Sequence, residues 1–314
     1  MTGVALVPRW VGGDPNELGV HTMLALMALV GVAMSSFVVF DTDTTSEADD
    51  QSKTRDAEPE PEVIRVDAFL NEEAGDTFSD QASATSANDT PLARFGAPDD
   101  DMLTGANGND LLDGQAGNDT IIAGGGNDIL QGGAGDDTLR GDDGDDRLMG
   151  HADNDMLDGG AGDDALFGGT GDDVLNGGAG NDQLDGYLGA DTLFGGAGED
   201  VLFGGAGDDV LNGRGDGETD TLLGGSGDDV LIAGNGDHMT GGSGMDVFNV
   251  NQNAVIHDFD PDEDTVEVVY ENDMPTLTTQ VSDAGLVLLA DGAVVATFSK
   301  LAQLDMASVD LVRA

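Results

Sequence analysis

The sequence predicts an all-β protein built around a flattened solenoid with 18 residues per coil. Three observations carry that prediction. A nine-residue phrase, G-G-x-G-x-D-x-U-x with U apolar, fits 17 consecutive units from Gly96. Its eighth position is apolar in every unit, mostly Leu, ending with Met239 and Phe248. Its glycines sit where a chain must turn, because glycine accepts positive φ and leaves its carbonyl oxygen uncovered. The three residues x-U-x form a minimal strand whose middle side chain points one way and whose flanks point the other. Turn, strand, turn, strand then makes one coil, with the U side chains facing inward between two parallel sheets. Turns n and n+2 stack on the same edge, one strand spacing apart.

The sixth position is the next element to justify, since it is aspartate in all 17 units: Asp101, Asp110, Asp119, Asp128, Asp137, Asp146, Asp155, Asp164, Asp173, Asp182, Asp191, Asp200, Asp209, Asp220, Asp229, Asp237 and Asp246. Fifteen units have nine residues; Gly213–Leu223 has two more and Ala233–Thr240 one fewer. Position four is glycine in fifteen units, with Asp99 and Asp153 as the exceptions. Stacked turns bring these carboxylates close to loop carbonyls such as those of Gly108, Gly117, Gly126, Gly135, Gly162, Gly171, Gly180, Gly207 and Gly227. Without a cation that is a repulsive cage of oxygens. With Ca2+ it is a hard-ligand site, whereas Mg2+ demands tighter octahedral geometry and keeps its water. Pairing each turn with the next but one gives up to about 15 Ca2+ sites. Folding is therefore expected to be coupled to calcium.

Charge points the same way. The chain has 314 residues, a net charge of −53 and no cysteine. Residues 96–249 hold 34 acidic side chains against three arginines. Nucleic acid is disfavoured as a partner, and thiolate metal sites and disulfides are excluded.

"GGAGDDVLN", "GGTGDDVLN" and "GGSGDDVLI" resemble the RTX (hemolysin-type) calcium-binding nonapeptides of bacterial exported proteins. That nonapeptide is a known calcium-binding β-helix repeat. The resemblance implies a right-handed parallel β-roll, Ca2+ held by the sixth-position aspartates with loop carbonyls, and an extracellular or cell-surface location. "MDVFNVNQNAVIHDFDPDEDTVEV" is similar to the usual exit from such an array. In many relatives the C-terminal region carries an export signal read by type I secretion machinery, so that machinery is an expected partner.

The flanks divide into three. Residues 1–40 contain an eighteen-residue uncharged stretch, Met23–Phe40, which reads either as a membrane anchor or as a cleaved signal, with Met23 an alternative start. Residues 41–95 are acidic and poor in large apolar side chains, so they read as a disordered tether. Residues 250–314 are strand-patterned and read as a cap on the open end of the roll, with a hairpin centred on Asp291-Gly292.

Other motifs are weaker. Asp260, Asp262, Asp264 and Glu271 occupy EF-hand positions one, three, five and twelve, but Thr265 stands where the loop wants glycine and the flanks are β-branched. An acidic turn is the preferred reading, and an extra Ca2+ site the alternative. Arg214-Gly215-Asp216 spells a cell-attachment tripeptide inside the one lengthened unit, and reads as an accident of the repeat. His21, His151, His238 and His257 share no metal-ligand spacing. No G-x-S-x-G elbow or cysteine nucleophile is present, so the chain is not expected to be an enzyme. Phe167, Phe194, Phe203, Leu223 and Ile232 fill the outward ninth position, with Phe203 and Leu223 on neighbouring strands. Cover by the C-terminal segment is the preferred reading there, and docking of the tether or a partner the alternative. The resulting expectation is a secreted or surface calcium-binding module with a structural or adhesive role. The alternative is a freely secreted type I export substrate; the sequence names no receptor.

Overall fold

In the computed structural model, residues 90–215, 217–271 and 273–313 are described. The expectations for Met23–Phe40 and for the tether up to residue 89 lie outside them. Among the described residues no helix is long and apolar enough to cross a membrane.

Two sheets, one of 13 strands and one of 11, face each other, and successive strands alternate between them as far as Thr265–Tyr270. About ten coils of roughly 18 residues result. The register repeats the sequence period. Val174–Ala179 pairs in parallel with Met156–Ala161 on one side and Thr192–Ala197 on the other, placing Leu175 between Leu157 and Leu193. Every eighth-position side chain from Leu112 to Phe248 is at most 2% exposed. One column of apolar side chains per sheet, mostly leucine, thus makes the core of the array, with Ala123 and Ala233 buried beside it.

Most strands are six residues long, twice the x-U-x expected from the phrase alone. They continue into the first three positions of the next unit, as Gly178 opposite Gly196 and Ala179 opposite Ala197. Those small residues let the backbones of neighbouring coils stay paired around the corner. At its φ of 111°, a Cβ on Gly178 would strike the carbonyl of Gly160 one coil earlier. Inside the array the strands shrink to three residues in the first unit, Met102–Thr104, and at Val210–Asn212 and Val230–Ile232, where the lengthened and shortened units follow.

The stack overruns the repeat at both ends. Ala93–Phe95 pairs in parallel with Leu111–Asp113, so ordered pairing starts before Gly96. After the array, Ala254–Ile256 and Thr265–Tyr270 each add one more parallel strand. Val309–Arg313 then pairs with Thr265–Tyr270 and ends the smaller sheet. The larger sheet ends in a meander of Leu277–Ser282, Gly285–Ala290 and Ala293–Phe298. Asp291 and Gly292 form its second turn with φ of 50° and 85°, the doubly positive pattern that suits right-twisted hairpins. Phe248, Phe259 and Phe298 close the leucine column, with ring centroids 5.9 and 5.2 Å apart. These terminal strands extend the sheets end-on, continuing the stack beyond Phe203 and Leu223.

Leu175→Ala is expected to lower stability by about 2–5 kcal/mol, as a cavity in a close-packed column should. Met156→Ala, on the same sheet but 58% exposed, should change it by less than about 0.5 kcal/mol. Urea unfolding of the two variants measures the difference.

Candidate metal sites in the corners of the coil

Each sixth-position aspartate ends a turn and precedes a strand, and its carboxylate folds inward under that turn. From Asp110 to Asp246 these side chains are at most 3% exposed. Their two oxygens have different surroundings. Oδ1 accepts the backbone N–H of the aspartate one coil earlier: Asp155 N–H donates to Asp173 at 2.8 Å, and Asp173 N–H to Asp191 at 2.8 Å. The same bond recurs along both edges, including across the irregular units, where Asp209 N–H donates to Asp229 at 2.9 Å. Oδ2 is buried without a hydrogen-bond partner at Asp119, Asp128, Asp137, Asp146, Asp155, Asp164, Asp173, Asp182, Asp191, Asp209 and Asp229.

That oxygen faces a cradle that only glycine leaves open. A Cβ on Gly177 would meet both Asp182 Oδ2 and, at 2.6 Å, the carbonyl oxygen of Gly195 one coil on. Gly159 with Asp164 and Gly177, and Gly204 with Asp209 and Gly224, repeat the arrangement, each carbonyl at 2.6 Å. The first-position carbonyl therefore converges with the orphaned carboxylate oxygen. The fourth-position carbonyls form a second column in the turn: those of Gly108, Gly117, Gly126, Gly162, Gly171, Gly180, Gly207 and Gly227 lie against the fourth-position glycine one coil further. After Gly135 that place is taken by Asp153, at φ 72°.

Burial without a partner makes these carboxyls hard to ionise. Desolvation is the largest cause; the ladder N–H opposes it, and neighbouring carboxylates add to it. Asp137 and Asp246 are pushed up to about 6, Asp146, Asp164, Asp182, Asp191 and Asp229 to about 7, and Asp155 to about 8. Asp119, Asp128, Asp173 and Asp209 are raised as well. Among the described residues no three acidic, histidine or cysteine side chains converge on one point. A cation in these corners must be completed by backbone oxygens, which suits a hard ion and not a thiolate or imidazole one. The donor set fits Ca2+: the Oδ2 column and the glycine carbonyls would hold it, and its charge would offset the carboxylates.

A family model of the RTX calcium-binding nonapeptide repeat matches residues 95–130, 122–157, 158–193, 185–217 and 214–248. These residues belong to the RTX calcium-binding nonapeptide repeat family. Among solved structures, the RTX roll is similar to the R3 subunit of the Azotobacter vinelandii mannuronan C5-epimerase, determined in solution. The two are 22% identical over 51% of this chain and 80% of that one, with a TM-score of 0.19. No curated protein matches the chain.

Three features of the RTX site were missed in the sequence. Fifth-position Asn and Asp side chains form an exposed ladder of opposite polarity. Asn154 N–H donates to Asp136 Oδ1 at 3.0 Å, and Asp172 N–H to Asn154 Oδ1 at 2.7 Å. The signal was present, since that column is mostly Asp or Asn, side chains that readily bond nearby backbone. The second feature is Asp264, which stands 18 residues after Asp246 and continues the inner ladder. Its Oδ1 accepts from Asp246 N–H at 3.1 Å and its Oδ2 from Asp260 N–H at 2.7 Å. Asp260, Asp262 and Glu271 lie at exposed or half-exposed places around a turn and a strand end, with strands on both flanks and not the helices of an EF-hand. Third, the register brings His238 and His257 together, Nδ1 to Nε2 at 2.9 Å with the rings stacked. Arg214, by contrast, turns inward, donating to Asn249 Oδ1 at 2.9 Å and to the carbonyl of Ala233.

The raised carboxyls give a sign to the pH dependence. Their unfolded value is 3.8 and their folded values reach about 6 to 8. They favour the cation-free fold below the unfolded value, and that contribution is lost as pH climbs through the folded ones. In chelator, the melting temperature should fall between pH 4 and pH 8. At pH 6, adding Ca2+ should release protons, because the metal binds the ionised form. A pH-stat titration and a pH series of melts measure the two effects.

Proposed function

We propose that the chain is a calcium-folded β-roll module that works outside the cell, secreted or held at the surface, in a structural or adhesive role. The observation that carries this reading is the column of buried carboxylate oxygens with no hydrogen-bond partner. A fold that places acids of raised pKa at intervals of one coil is poorly stable at neutral pH until a cation enters. In a compartment poor in Ca2+ such a chain stays extended; in a calcium-rich one it folds. That property supports an extracellular site of action and export through a type I channel as an unfolded chain. The closed leucine core and paired backbone leave the outer faces of the two sheets as the surfaces available for contact. Calcium is the partner the reading assigns; membrane attachment through Met23–Phe40 belongs to the same proposal.

Circular dichroism of the full chain during a Ca2+ titration, with Mg2+ as control, is the test. A steep, chelator-reversible gain of β signal with Ca2+ and little with Mg2+ is expected. Asp173→Ala should shift the midpoint to higher Ca2+, while Asp172→Ala, in the exposed ladder, should shift it much less. A roll already folded in excess chelator at pH 7.5 would refute the coupling.

A further inference from the structure

The second position of the repeat faces outward on a backbone that glycine adopts without strain. At Gly160, Gly169 and Gly178 its φ lies at 111–129°. Four other residues are forced into that region at this position: Gln115, Asp142, His151 and Tyr187, at φ of 71–84°. Left-handed backbone at an aromatic residue is costly and tends to persist where a site needs the side chain. Two of the four, His151 and Tyr187, line the same notch on the outer face of the larger sheet. They stand one coil either side of Gly169, since His151 pairs with Gly169 and Gly169 with Tyr187. Two strand spacings put them about 10 Å apart, with the glycine as floor. Phe167 forms the side wall, its ring 6.3 Å from that of Tyr187. The notch holds about 380 Å³.

Its charge is opposite to that of the molecule. The Arg147 guanidinium lies 4.2 Å over the Phe167 ring. The salt bridge found among the described residues joins Arg140 to Asp142, and Arg214 is turned inward. Arg147 is thus an exposed guanidinium with no carboxylate of the described residues within salt-bridge distance, on a chain of net charge −53. The apolar surface is also small. Along the second-position column it is bounded by Gly133 and Gly205, and along the ninth by Gln131 and Asp185. A stable protein interface needs on the order of 800 Å² per partner, which this patch does not offer.

We propose that this notch is a binding subsite for a sugar residue carrying a carboxylate. The C–H face of a pyranose ring lies on the exposed Tyr187 ring, which has an apolar face and a polar tip. The carboxylate pairs with the Arg147 fork, and His151 bonds a ring hydroxyl. The outer face of the roll would then hold an acidic glycan by one residue, independently of the calcium corners.

The test is isothermal titration calorimetry of the full chain at saturating Ca2+ with tetragalacturonate as probe and maltotetraose as its neutral counterpart. Tyr187→Gly restores the glycine of the repeat and relieves a strained φ, so its calcium-induced β signal should match or exceed that of the parent. Its affinity for tetragalacturonate should nevertheless fall at least tenfold, as should that of Arg147→Gln. Maltotetraose should bind the parent at least tenfold more weakly than tetragalacturonate. No heat with tetragalacturonate, binding by both variants within twofold of the parent, or equal affinity for the two probes would overturn the proposal. Circular dichroism on the same samples reads folding separately, so a failure of calcium coupling is distinguished from a failure to bind sugar.

Discussion

One hydrogen bond organises this molecule: the N–H of each sixth-position aspartate to the carboxylate of the next aspartate on the same edge. It fixes the turn, because a carboxylate that reaches back under its own loop must have glycine above it. It fixes the spacing, because donor and acceptor belong to consecutive coils. At most of these aspartates it also leaves the other oxygen buried with no hydrogen-bond partner, the feature that makes the corner a candidate metal site. Asp173 shows all three at once: Oδ1 is held by Asp155, Gly168 lies over the carboxylate, and Oδ2 is buried and bare. A single geometric commitment per unit therefore fixes the coil and leaves an oxygen open to a cation.

The irregular places show how strongly that bond constrains the rest. Where two residues are inserted after Gly213, the aspartate separation grows to 20, yet Asp200 and Asp209 still donate to Asp220 and Asp229. The extra length is absorbed in the turn, the strands before it shorten, and Arg214 folds across to brace the loop on Asn249. Past the array, Asp264 keeps the ladder going although its turn is proline-containing and not glycine-rich. The core column then ends in aromatic side chains, large enough to cover the last leucines where no further coil follows.

Much of this was legible in the sequence, and the reason is periodicity. Leu175 is buried because every ninth residue is apolar, and Asp173 and Asp191 are neighbours because they are 18 apart. Spacing says which residues meet but not which atoms do. Nothing in the one-letter pattern tells Oδ1 from Oδ2, or the carbonyl of Gly195 from that of Gly180, so the split between hydrogen-bond ladder and orphaned oxygen had to be seen. The His238–His257 pair was hidden for a related reason. They are 19 residues apart across a shortened unit and a strand with Ala254 in the aspartate place, so a count by nines misses their meeting. The notch at Tyr187 was obscured because its second-position residue looks, by letter, like one more departure from the consensus.

The alternation of strands between two sheets has a consequence for how such a chain can change length. Removing one full coil leaves every later residue on the sheet it already occupied, and the duplex of columns simply closes up. Removing a single nonapeptide does something different: every later unit moves to the opposite wall. The leucines still point inward and the aspartates still meet, so the interior is indifferent to the change. The exterior is not. Features composed from neighbouring units, such as Phe167 beside Tyr187, are cut apart if the excision falls between them, while those downstream reappear on the other flank intact. The roll has a parity, invisible to its core and decisive for its surface.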